Sequence, residues 1–90
     1  MKAVIFYEPG DTPIEKIMEA FPRHTALLDA FHQRGELLAV GAFADPKRDG
    51  SMGIFKNREF AEAFVKQDPF VLEGLVAKFT IKDWNESLMG

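Results

Sequence analysis

The chain has 90 residues and no cysteine, so disulfides, thiolate chemistry and Cys-ligated metal sites are excluded. Its formal charge is −3, from 11 Lys plus Arg against 14 Asp plus Glu with both signs interspersed, and that balance lacks the electropositive footprint a nucleic-acid partner requires. A chain this short buries only about 60–65% of its unfolded surface, so its nine Phe rings must fill a small core, line an apolar pocket or cover a subunit contact.

Ala3 to Tyr7 is an apolar run rich in Val, Ile and aromatics, closed by Glu8-Pro9-Gly10-Asp11, and reads as a strand ending in a turn. The run is far too short to span a membrane and has no signal-peptide cleavage pattern, so a cytoplasmic protein without a membrane partner is expected. Thr12-Pro13-Ile14-Glu15 has the form of a capping box with proline at the first helical position. Ile14, Ile17, Met18 and Phe21 carry the helix on. Pro22 lacks an amide proton and crowds the preceding turn, so a break or kink is expected near Phe21, with a second helical piece running from Pro22 through Leu27, Leu28 and Phe31 to Gly35.

Leu37 to Phe43 and Met52 to Lys56 read as a hairpin of two further strands around the polar turn Asp45-Pro46-Lys47-Arg48-Asp49-Gly50. Asn57 caps a helix from Arg58 to Gln67 with the apolar stripe Phe60, Ala61, Phe64 and Val65, stopped by Pro69. In the last strand Leu75, Ala77, Phe79 and Ile81 alternate with Val76, Lys78, Thr80 and Lys82, a half-buried pattern whose basic outer positions suit a sheet edge. The order strand, helix, strand, strand, helix, strand over one domain, residues 1–90, is the α+β ferredoxin-like βαββαβ sandwich: a four-stranded antiparallel sheet with helices on one face. The expected core includes Ile5, Ile17, Leu28, Phe31, Val40, Ile54, Phe64, Leu75, Ala77 and Phe79. The first two strands have no polar side, so the far face of the sheet also needs cover, and a twin subunit is the simplest one.

Phe21, His24, Leu28 and Phe31 share one helical face, which aims the His24 imidazole inward. Placed in the first turn after Pro22, it would be held neutral by the helix dipole. It is either a core histidine satisfied by a carbonyl or a site residue. Asp68 falls where the stripe of Ala61, Phe64 and Val65 asks for an apolar side chain, at a helix C-terminus that disfavours its charge. It is either a turn aspartate using nearby backbone amides or the partner of a buried group. Paired helices on one sheet face could bring the two together, with the carboxylate orienting the ring for proton transfer. His32 lies on another face and reads as surface. Ser51 lacks the elbow of an acyl-transfer nucleophile, two histidines eight residues apart lack metal-ligand spacing, and Gly50-Ser51-Met52-Gly53 lacks the length and lysine of a phosphate loop.

Four segments resemble the YCII-related (YciI-like) proteins. Arg23-His24-Thr25-Ala26-Leu27-Leu28 is similar to that family's arginine-histidine helix opening, and Gly35-Glu36-Leu37-Leu38-Ala39-Val40-Gly41 to its second-strand entry. Phe60 through Asp68-Pro69-Phe70 resembles its second helix with the Asp-Pro-Phe ending, and the strand to Trp84 its closing strand. Ala42 stands after Gly41 where a proline is common in the family. The resemblance implies a dimeric α/β-barrel protein, a homodimer whose active-site pair is His24 and Asp68. Candidate ligand contacts are Arg23, Gly41, Ser51 and Phe70, with backbone amides near Gly41 or Ser51 meeting developing negative charge. One relative type is a dehydrochlorinase of a chlorinated hydroxyhydroquinone, and the wider fold group includes muconolactone isomerases. The expected activity is proton transfer on a small cyclic or aromatic molecule in a lyase- or isomerase-type reaction, with no cofactor and no metal. The alternative is a non-catalytic ligand-binding or regulatory homodimer.

Overall fold

The computed structural model describes residues 1–87, so the expected domain reaches three residues past the described ones. Its elements are β1 (Lys2–Pro9), α1 (Ile14–Gln33), β2 (Leu37–Ala42), the single turn α2 (Pro46–Asp49), β3 (Ser51–Phe55), α3 (Arg58–Val65), the single turn α4 (Pro69–Leu72) and β4 (Val76–Trp84). The strands form one sheet in the order β2-β3-β1-β4, every neighbouring pair antiparallel. This is the ferredoxin-like α+β sandwich. Ala3, Ile5 and Tyr7 of β1, Leu37 and Phe55 meet Phe31, Ala61, Phe64 and Val65 from the helices in one core.

The expected break at Pro22 does not occur: α1 is continuous for 20 residues with Pro22 inside it. One missing amide bond is a local loss, whereas the buried positions Ala20, His24 and Phe31, on both sides of Pro22, keep a single face on the sheet. The capping box is also absent. Pro13 is the N-cap, and the Thr12 hydroxyl instead donates to the Leu75 carbonyl at 3.0 Å, tying the helix entry to the residue before β4. Gly35 ends the helix in the left-handed region at φ +75°, as its position implied, and Asn57 caps α3 by accepting from the Phe60 amide at 3.0 Å.

Three expected core residues are exposed: Val40 at 51%, Phe79 at 40%, and Ala77. β2 and β4 are edge strands, and on β2 only Leu37 is buried. On β4 a bulge opposite Glu8 and Pro9 pairs Pro9 with Val76, so Val76 packs on the core and Ala77 is the extra residue. Ile17 and Leu28 are half-buried because they line a cavity between α1 and the sheet. The opposite face of the sheet carries Val4, Phe6, Met52 and Ile54, outside the core cluster, with the Lys82 ammonium 5.7 Å from the Phe6 ring centroid.

Candidate active site

His24 and Asp68 come together: Nδ1 of the imidazole lies 2.8 Å from Asp68 Oδ1, and both residues are buried. The continuous α1 places His24 in mid-helix, so a helix N-terminus does not act on the ring as the sequence had implied. Its orientation is set by contacts. Phe70 stacks on the imidazole with ring centroids 3.9 Å apart and planes 4° from parallel, and Phe64 meets it edge-on at 6.3 Å.

Asp68 follows α3 and is the N-cap of α4, where Oδ1 also accepts from the Phe70 amide at 3.1 Å. The two readings of this residue therefore hold together, since one oxygen caps the turn and takes the imidazole. The other oxygen, Oδ2, accepts from the Tyr7 hydroxyl at 2.5 Å. Burial, then the hydrogen bond to Asp68 and its negative charge, hold the Tyr7 phenol well above the ordinary value, so it stays protonated as a donor. With three donors on a fully buried carboxylate, the geometry assigns the ring proton to Nδ1. Among the described residues Nε2 has no partner and no buried side-chain polar atom lacks one, which leaves Nε2 open to the cavity that His24 lines.

That cavity has a volume of about 810 Å³. Ile5, Ile17, Phe21, Leu28, Phe55 and Phe64 make its walls apolar, and Asp11, Lys47 and Ser51 are among its few polar contributors. Gly41, Ser51 and Phe70 line it as well. Arg23 does not: it forms an ion pair with Glu73, outside the cavity lining. Glycine is needed at position 50, where φ is +78° and a Cβ would stand 1.9 Å from the Tyr7 carbonyl oxygen. Tyr7 was missed as a site residue because it lies in a run of strand apolars; the only signal was a phenol, the sole Tyr of the chain, among hydrophobic neighbours.

The structure thus defines a class of protein: a ferredoxin-like sandwich with a buried, carboxylate-bound histidine beside an apolar cavity. The YCII-related domain matches residues 1–85, and the chain belongs to the YCII-related family. It is 28% identical over 96 aligned positions to Protein YciI of Escherichia coli O6:H1, covering 96% of this chain and 98% of that one, and to the same degree to Protein YciI of Shigella flexneri. Among solved structures it is similar to the 5-chloro-2-hydroxyhydroquinone dehydrochlorinase of Burkholderia phenoliruptrix AC1100 in complex with 2,5-dihydroxybenzoquinone. The TM-score is 0.77 with 21% identity over 97% of this chain and 96% of that one, a likeness of fold.

Proposed function

We propose that this protein is a cofactor-independent enzyme that moves a proton on a small cyclic or phenolic molecule, in a lyase- or isomerase-type reaction. The observation that carries the reading is His24 itself, with Nδ1 spent on Asp68 and Nε2 open to an apolar cavity. A volume of about 810 Å³ falls within the range of about 300–1,000 Å³ common to small-molecule sites. Nε2 takes the proton from a substrate hydroxyl or acidic carbon. Asp68 holds the tautomer and stabilises the imidazolium that forms, and backbone amides near Gly41 or Ser51, residues of the cavity lining, are the groups proposed to meet developing negative charge on the substrate. In an isomerisation the imidazolium then returns the proton to a different substrate atom; in an elimination the freed electron pair expels a leaving group such as chloride and the imidazolium gives its proton to solvent. The dehydrochlorinase that shares the fold gives the substrate class a starting point.

The test is turnover. Wild type and His24→Ala are incubated with hydroxylated, chlorinated and lactone compounds and followed by mass spectrometry. One compound is expected to be converted by wild type, with a loss of about 100-fold or more in the variant while binding survives. Equal conversion without the imidazole contradicts the assignment. Binding without conversion across the panel transfers the cavity to a ligand-binding or regulatory homodimer.

The same reading includes self-association. Val4, Phe6, Met52 and Ile54 give the far sheet face an apolar centre, and a second copy of the chain is the cover proposed for it.

A further inference from the structure

We propose that Tyr7 is a positioning residue of the site: its hydroxyl fixes the Asp68 carboxylate and sets how strongly that carboxylate draws the Nδ1 proton of His24. The catalytic meaning of this contact rests on the proton-transfer reading above, whereas the contact itself does not.

Asp68 is 0% exposed, so the hydrogen bonds that stabilise its carboxylate come from protein donors. Tyr7 takes Oδ2 at 2.5 Å, while the Phe70 amide and His24 Nδ1 share Oδ1 at 3.1 and 2.8 Å. Among the described residues the phenol is the only donor on Oδ2, and without it the carboxylate charge would lean wholly on the imidazole side. Tyr7 is also firmly placed. Its Cα pairs with Ser51 on one side and Phe79 on the other, and its carbonyl lies against the Cβ-free Gly50.

A phenyl ring would fill the same space, and the chain uses nine of them elsewhere. Its single hydroxylated ring stands where the hydroxyl meets the buried carboxylate. Among the described residues, the elements packed around Asp68 bring only Tyr7 from β1 and His24 from α1 as titratable partners, since α3 contributes Phe64 and Arg23 is bound to Glu73. With donors on both oxygens, Asp68 is committed to accepting hydrogen bonds. Abstraction of a substrate proton falls to His24 alone.

Because Tyr7 is the only tyrosine, growth on ring-fluorinated tyrosine alters this one phenol, making it a more acidic and stronger donor of nearly the same shape. The nitrogen and proton shifts of His24 Nδ1 are then read by magnetic resonance in the fluorinated protein and in Tyr7→Phe. His32, whose Nδ1 lies 3.1 Å from the Leu37 carbonyl, serves as the reference. Fluorination is expected to move the His24 Nδ1 proton upfield, as the phenol draws carboxylate charge away from the ring. Tyr7→Phe is expected to move it downfield, His32 staying fixed in both. If Tyr7→Phe does not fold, the fluorinated protein decides alone. Unmoved His24 shifts would overturn the proposal and leave Tyr7 a space-filler, whatever happens to the thermal midpoint. Loss of the proton-transfer reading would show instead as undiminished turnover in His24→Ala, which leaves these shifts untouched.

Discussion

A buried carboxylate is costly unless it is hydrogen-bonded, and Asp68 offsets that cost with one side-chain hydroxyl, one backbone amide and one imidazole. The phenol has a consequence for stability that can be measured. Its pKa is raised in the folded protein above the ordinary 10.0, so below pH 10 both folded and unfolded chains hold the proton and the contribution is whole. Above pH 10 the unfolded chain releases it first, and stability falls with rising pH by about 1.4 kcal/mol per unit from this one group. Denaturant unfolding of wild type and Tyr7→Phe across this alkaline range is expected to show that extra slope in wild type only. Tyrosinate absorbance should appear with unfolding, and its appearance in the folded protein near pH 10 would contradict the buried hydrogen bond. His24 and Asp68 were legible in the sequence because each breaks an apolar stripe. Tyr7 was not, since a phenol in a strand differs from its neighbours by one oxygen.

Local rules fared unevenly at the scale of elements. Gly35, Asn57 and the edge position of β4 follow from residue chemistry that acts within a few positions. Pro22 and the capping box did not, because tertiary contacts decide them: the face carrying Ala20, His24 and Phe31 holds α1 together, and Leu75 takes the Thr12 hydroxyl. The bulge that exchanges Val76 for Ala77 depends on the pairing with Pro9 and is invisible in an alternating pattern. If Pro22 lies in an unbroken helix, Pro22→Ala restores an amide donor and removes a steric clash. Against this stands the greater freedom of the unfolded variant, leaving a net gain of about 2 kcal/mol. Chemical denaturation checks it. A variant no more stable than wild type would mean that the chain breaks at this point and has no helical bond to restore.

At the scale of the whole molecule, the surplus of apolar residues over what 90 residues can bury accounts for both the cavity and the far sheet face. Part of the expected core, Ile17 and Leu28 among it, lines the cavity, and periodicity could not separate a core wall from a cavity wall because both ask for the same side chains. Sedimentation at micromolar concentration is expected to give twice the 10.1 kDa chain mass, and Ile54→Lys to give the monomer; a monomeric wild type would leave the far face without its proposed cover. The account's central claim is that His24 presents a bare Nε2 to the cavity because Asp68 holds the proton on Nδ1. Nitrogen magnetic resonance of the labelled imidazole, with and without a phenolic compound found to bind, tests it most directly. The predicted result is a ring whose Nδ1 carries the proton bound to Asp68, with Nε2 as the nitrogen whose resonance moves on binding. A proton found on Nε2 in the free protein, or an Nε2 resonance indifferent to the bound phenol, would contradict it.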